Sequence, residues 1–343
     1  MEKAYDRMEW PFIRQCLEQL GFHTQWINWL MECITSVSYS LLVNDEPTGM
    51  IHPTRGLRQG DPLSPYIFIL CMEALSQALL QESMKPKTGI GFKIGPRLER
   101  IPCLFFADDC LLFCKVKTQA CTRLKSLLDI FCSRSGQLIN YYKSTLTFSS
   151  NATSHHRQVT TSIFNITHSD SLGKYLGCPV FQNRPKSTTF RDLTDKAMMK
   201  LVGRKAKCLS KAGRSVLIQS HLESLPAHTM QCFQLPSAVS NNIDRISREF
   251  FWKSSTQDKG LPLVAWNKIC KPKQTGGLGL RKIAAINQAF LTKLAWKVYT
   301  DHKSMWVRLM RSKYLEHRNF FSVQSKSGDF VVWKSILKCR QLL

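Results

Sequence analysis

Residues 101–113 read IPCLFFADDCLLF, with two adjacent carboxylates, Asp108 and Asp109, inside a run that is otherwise almost wholly apolar. The pattern predicts a β-hairpin: a strand over 101–106, a tight turn over Ala107–Asp109 and a second strand over 110–116. Leu104–Phe106 and Leu111–Phe113 imply strands buried on both faces. Desolvating one unpaired carboxylate is costly, and two in contact also repel each other. Two readings stand at this point. The pair is an ordinary set of turn aspartates, since aspartate is common in turns, or a divalent cation supplies the missing charge through hard oxygen ligands. In front of a basic surface, two carboxylates on a strand turn suit phosphoryl transfer, in which metal ions hold the attacking and leaving oxygens.

That basic surface is written in the charge distribution. The 343 residues carry a formal net charge of +24. Residues 1–150 hold 16 Lys and Arg against 14 Asp and Glu, and the remainder holds 32 against 10. Almost the whole excess therefore lies downstream of the carboxylate pair. It is either a solvated basic surface or a track for a polyanion, and its one-sidedness favours nucleic acid. The length suits two packed units. Thirteen cysteines are scattered without a CxxC pair or a Cys/His ladder at zinc spacing, which implies a reducing compartment and no zinc within the chain. MEKAYDRMEW is charged from its second residue and does not read as a signal peptide. The longest apolar stretch, YIFILCMEALSQALL, is interrupted by Glu73, so no membrane role is expected.

Along the chain, residues 9–36 show helical spacing split by Gly21, and SYSLLVNDEPTGMIHPTRG reads as two strands around an Asn44–Pro47 turn. GLRQGDPLSPYIF is a punctuated loop opening a helix, with Ser64 as N-cap and Pro65 at the first helical position. TRLKSLLDIFCSRSG is an amphipathic helix stopped by Gly136. LINYYKSTLTFS and GKYLGCPVF read as short strands. From about Thr188 the texture becomes that of long basic helices, and 254–262 reads as a linker. Trp252, Trp266 and Trp296 lie on helical stretches and are expected in the core.

The loop around Arg58, Gln59 and Gly60 offers a guanidinium, an amide and a backbone without a side chain near a helix N-terminus, a combination suited to phosphate or to simple helix capping. AYDRMEW, GLRQGDPLSPYIF, FADD, SGQLINYYKS and KYLGCPV, in this order, closely resemble the reverse transcriptase of plant LINE-type (non-LTR) retrotransposons. The likeness continues through LVGRKAKCLSKAGRSVLIQSHLESLP and VAWNKICKPKQTGGLGLR.

The resemblance implies an α+β right-hand polymerase, with a partial palm over 1–187, a basic helical thumb over 188–253 and a post-thumb helical segment over 254–343. It implies that Asp108 and Asp109, in the F-A-D-D form with Ala107, are catalytic and bind Mg2+ or Mn2+. Tyr5 resembles the aromatic beneath the incoming sugar, where a ring fills the space a 2′-hydroxyl needs. Arg58, Gln59 and Gly60 resemble the loop lining the incoming nucleotide, and Lys143 the lysine beside the leaving pyrophosphate. Tyr175, Leu176 and Gly177 resemble the turn that grips the primer end. The implied partners are an RNA template, an RNA/DNA or DNA primer duplex and deoxynucleotides, in the nucleus or cytoplasm. From the residues alone, Tyr5 is equally a core aromatic, Lys143 a solvated lysine, and Tyr175 and Leu176 ordinary strand packing.

The sequence departs from the family at several points. The family's third carboxylate lies five residues before the aromatic, a position immediately ahead of Met1, and Asp6 falls one residue off in strand parity. The chain is therefore expected to be cut from a decaying element, short of upstream fingers and endonuclease segments and of a downstream zinc-binding module. On its own it is expected to polymerise weakly or not at all. Arg204 stands where the family usually carries tryptophan. A catalytically silent nucleic-acid-binding remnant is the alternative, and an unrelated magnesium-dependent nuclease or phosphatase would leave the ordered motifs to chance.

Overall fold

The computed structural model describes residues 1–93, 98–171, 173–180, 187–201, 209–253, 261–316 and 318–343. The chain divides into two compact units, Met1–Asp170 and Ser171–Leu343. It mixes helices with small antiparallel sheets, in keeping with an α+β class.

In the first unit, α1 (Trp10–Gln19) starts with Pro11 in its first turn and buries Phe12, Ile13, Cys16 and Leu17 along one face. Gly21, at φ +82°, turns the chain into α2 (Thr24–Thr35), whose first turn is capped by the His23 ring. β1 (Tyr39–Val43) and β2 (Glu46–Ile51) pair antiparallel. Asn44 and Asp45 make their turn, both at positive φ, as a tight hairpin of this hand requires. In α3 (Ser64–Met84), Ile67, Phe68, Cys71, Met72, Leu75 and Leu79 face the core. Ser64 does not cap this helix. It lies one residue inside, itself buried, and the Asp61 carboxylate accepts the Leu63 N–H at 2.8 Å instead.

β3 (Cys103–Phe106) and β4 (Asp109–Leu112) form the expected hairpin, shortened to a two-residue turn over Ala107–Asp108. Its burial differs from expectation. Cys103, Phe105, Cys110 and Leu112 pack on the core of this unit, whereas Leu104 and Phe106 are exposed. A two-stranded ribbon covered by helices on one side leaves its alternate residues open, and that is the physical reason. α4 (Thr118–Ser135) and α5 (Ser154–Phe164) complete the unit. Glu82, nearly buried, accepts from Arg123 and Lys85 at 2.6 Å each and ties α3 to α4. Its carboxyl is held below the ordinary range by the Lys85 hydrogen bond, against the opposing effect of burial. The predicted strand at LINYYKSTLTFS is absent. Tyr141–Lys143 turn, and Leu146 makes only an isolated bridge to His168.

α4 ends on Gly136 at φ +75°, where an added Cβ would stand 2.4 Å from the Arg7 carbonyl oxygen. Gly136→Ala should cost about 2–4 kcal/mol, combining a left-handed backbone penalty with overpacking. A thermal melt of the purified variant checks this, with a fall of several degrees expected.

In the second unit, β5 (Lys174–Tyr175) and β6 (Cys178–Pro179) form a minimal hairpin over a Leu176–Gly177 turn. Helices follow: α6 (Arg191–Leu201), α7 (Lys211–Leu217), α8 (Ala227–Met230), α9 (Ser237–Trp252), α10 (Ile283–Thr300) and α11 (Val331–Cys339). Buried Arg214 donates to the carbonyls of Leu209 and Phe250, at 3.1 and 3.2 Å, and to that of Lys253, so its charge meets the C-terminus of α9. Buried Asn287 joins α10 to Leu235, Met230 and Phe233. Trp252 and Trp266 pack against the cluster of Ile218, Leu222 and Phe251, as expected, but Trp296 is 53% exposed. The residue periodicity of α10 places it on the face opposite Leu291, Ala295 and Val298. Arg204 and most of the expected linker lie outside the described residues. Among the described residues no helix is long and apolar enough to cross a membrane.

Candidate active site

The N-terminal segment is the seam on which the first unit's candidate residues meet. Residues 4–7 form a turn rather than a strand, with the Arg7 N–H reaching the Lys3 carbonyl at 3.2 Å. Strand parity therefore does not govern Asp6. One side of the segment is held by Leu57 N–H to Tyr5 O and Gly56 N–H to Met8 O, both 2.8 Å. The other side is held by the buried Gln137 amide donating to Ala4 O at 2.7 Å and by Glu2 N–H to Leu138 O at 2.9 Å. Gly56 permits the first approach: at φ +96°, a Cβ there would meet the Asp6 carbonyl at 2.9 Å.

This clamp fixes Tyr5, whose ring stacks on Phe68 at 5.0 Å and 15°. Its phenol is pushed up from its ordinary value, first by burial and then by the negative charge of Asp108. That influence brings the hairpin turn and the aromatic into one neighbourhood. The Met1 nitrogen also donates to the Asp108 carbonyl at 2.9 Å, drawing the chain start to the same turn. Gln59 joins from the other side, its amide donating to Asp6 Oδ1 at 3.1 Å. Arg58 and Gly60 are exposed on the same loop, Gly60 at φ +88°.

Asp108 and Asp109 are both exposed, so the doublet is not buried in apolar surroundings as the sequence suggested. The hairpin register shows why. Asp109 pairs with Phe106, itself 62% exposed, on the open face, and Asp108 occupies the turn with Ala107 at φ +50°. A cavity of about 330 Å³ opens between α2, the β1–β2 hairpin and the 53–64 loop, lined by Asp6, Arg58, Asp61, Tyr39, Ile51 and Leu57. The hairpin carboxylates do not line it. Lys143 is exposed, its N–H bonded to Asn140 Oδ1 at 3.0 Å. Tyr175, Leu176 and Gly177 belong to the second unit. Leu176 at φ +50° and Gly177 at φ +76° form a turn whose Leu176 carbonyl accepts from His228 Nε2 at 2.8 Å.

The donor set fits a hard divalent cation. Among the described residues no three His, Cys, Asp or Glu side chains cluster to hold one. Magnesium, however, commonly binds through one or two carboxylates and completes its shell with water and substrate phosphates. Asp108 and Asp109, adjacent and open, can serve in that way.

Residues 1–180 match the family described as reverse transcriptase (RNA-dependent DNA polymerase). The chain belongs to the reverse transcriptase family. Among its relatives, a protein of Arabidopsis thaliana whose name calls it a ribonuclease H protein is 36% identical over 160 residues, 46% of this chain and 26% of that protein. The 149 kDa protein of transposon TX1 from Xenopus laevis is 25% identical over 322 residues, 93% of this chain and 24% of its own length. A Pol polyprotein of the type-1 retrotransposable element R2 from Popillia japonica is 32% identical over 145 residues, 42% of this chain and 19% of that protein. This chain thus spans about a quarter or less of these relatives. They accord with the non-LTR reverse transcriptase resemblance read from the motifs.

Sequence reading of this reverse transcriptase segment missed three side chains that shape the site: Asp6, Phe68 and Phe106. Phe106 was accessible to reasoning, because a two-residue turn forces it opposite Asp109. The Asp6–Gln59 bond spans 53 positions and carries no local signal.

Proposed function

We propose that this chain is a reverse transcriptase domain segment of a non-LTR retrotransposon, carrying out RNA-directed DNA polymerisation by two-metal nucleotidyl transfer at Asp108 and Asp109. The proximity of Asp108 to Tyr5, and of Tyr5–Asp6 to the Gln59 loop, carries this reading. Residues 1–187 are the partial palm, 188–253 the thumb and 254–343 the post-thumb segment. Asp108 and Asp109 would hold Mg2+ or Mn2+, which when bound neutralises charge on the reacting phosphates. Tyr5, rigid against Phe68, lies under the sugar. Arg58, Gln59 and Gly60 meet the nucleotide, Lys143 faces the pyrophosphate, and Tyr175–Gly177 hold the primer end.

One measurement bears directly on the metal: Mn2+ binding in the presence of a deoxynucleoside triphosphate, followed by water-proton relaxation. The chain should show an enhancement that Asp108→Asn and Asp109→Asn remove; an enhancement that survives both changes defeats the assignment. Tyr5→Ala should narrow the preference for deoxy- over ribonucleoside triphosphate by about tenfold, because the ring fills the 2′ space. Competition binding reads that ratio.

The second reading is a nucleic-acid-binding remnant without polymerisation. Its support is that only two carboxylates meet at the turn while Asp6 is engaged by Gln59. Nucleic-acid binding without any nucleotide-dependent manganese enhancement would select it.

A further inference from the structure

The described cysteines are all free thiols, yet three pairs of them touch: Cys16 with Cys71, Cys114 with Cys121, and Cys178 with Cys232. The first pair is buried in the core, and Cys121 is buried in the second. Only Cys178 and Cys232 are both half-buried, within reach of a small solute.

Their setting is specific. Cys178 opens β6, directly after the Leu176–Gly177 turn, and β6 packs on α8. Cys232 follows α8, its N–H bonded to the Thr229 carbonyl at 3.1 Å. The Cys178 thiol hydrogen-bonds to Cys232 and to the buried Thr229 hydroxyl. His228, on the same short helix, holds the Leu176 carbonyl. Cys232 is lowered to about 6, chiefly by the hydrogen bond from Cys178, with burial opposing and the nearby His228 assisting. Cys178 is correspondingly raised. The two sulfurs are thus differentiated into an attacking thiolate and a resolving thiol.

We propose that Cys178 and Cys232 are a peroxide-reactive dithiol whose oxidation bolts the Lys174–Pro179 hairpin to α8. In the first step the Cys232 thiolate attacks a hydrogen peroxide oxygen. The O–O bond breaks, hydroxide leaves, and Cys232 becomes a sulfenic acid. In the second, the Cys178 sulfur attacks the Cys232 sulfur. The Cys178 proton passes to the departing hydroxyl, water leaves, and an S–S bond forms. Two thiol sulfurs lose two electrons, and peroxide is reduced to two waters. A thiol reductant reverses the bond by exchange. The His228 contact holds the hairpin tip and the disulfide would hold its base, so both ends of a four-residue ribbon would be fixed. The chemistry stands apart from the polymerase reading. Only its consequence for a primer end depends on that reading.

The experiment treats the full 343-residue chain with stoichiometric hydrogen peroxide, blocks the remaining thiols by alkylation and maps peptides without reduction. The expected product is a Cys178–Cys232 cross-linked peptide, 2 Da lighter than the two thiol peptides and lost on adding dithiothreitol. Amide hydrogen exchange over 174–178 should slow by about tenfold in the oxidised chain. In Cys178→Ser, dimedone should label Cys232, and in Cys232→Ser, Cys178 should stay unmodified. Absence of the cross-link while either cysteine advances to sulfinic acid overturns the proposal, as does a cross-link that leaves exchange unchanged. Dimedone on Cys178 in place of Cys232 overturns the assignment of roles. The wild-type peptide map decides the cross-link even where a serine variant does not fold.

Discussion

Joining one aspartate to the Met1 nitrogen should raise magnesium-dependent extension of a primed RNA template by about 10³-fold or more over the 343-residue chain. The Met1 nitrogen lies 2.9 Å from the Asp108 carbonyl oxygen. Any residue attached to it has its carbonyl carbon only about 1.33 Å from that nitrogen. Its side chain is therefore delivered to the turn bearing the doublet. Magnesium seeks near-octahedral oxygen coordination, and two carboxylates leave more of the shell to substrate than three do. Carboxylates acting on a shared ion behave as a unit, so supplying the third restores much more than a third of the effect. The control is an asparagine joined at the same place, equal in size and without charge, which should leave extension at the level of the unmodified chain. In the aspartate-bearing chain, Asp108→Asn or Asp109→Asn should return activity to that level. If asparagine works as well as aspartate, the added backbone matters and the carboxylate does not, and the metal reading of this turn fails.

What the sequence made legible followed local rules. Pro11, Gly21, Asn44–Asp45 and Gly136 each sit where helix and hairpin chemistry puts them, and the elements around them formed accordingly. The errors share a cause: burial was inferred from apolarity without knowing what covers a strand. Phe106 and Leu104 are apolar and open because only one face of their two-stranded ribbon meets helices. Asp108 and Asp109 were thereby assigned to an interior they do not occupy. The same reasoning placed Trp296 inside α10's packed face, although it projects from the helix's other side. The candidate site was legible as residue types but not as connections. The Asp6–Gln59 bond and the Gln137 clamp on Ala4 join residues 53 and 133 positions apart, and no local pattern encodes either.

Duplex or hybrid nucleic acid should bind this chain with little sequence preference, and its affinity should fall by about 10³ between 50 and 200 mM salt. The charge partition sets the expectation. Through residue 150 the basic and acidic residues nearly balance, whereas downstream there are 32 Lys and Arg against 10 Asp and Glu. Few of these cations are consumed internally. Lys174 pairs with Asp192, Arg281 with buried Glu223, and Arg245 and Lys253 share Glu249. If about six of the remainder neutralise phosphates, counterion release gives a log–log slope near −5, and a fourfold rise in salt then costs about three decades. Fluorescence anisotropy of a labelled duplex, titrated at four salt concentrations, measures the slope directly. Because phosphate contacts carry no base information, scrambled duplexes of equal length should give superimposable curves. Replacing three of the exposed downstream lysines by glutamine should flatten the slope by about 3 and weaken binding equally for every sequence. An affinity that holds between low and moderate salt would show that the basic residues of the second unit are a solvated surface, and the thumb assignment would lose its physical basis.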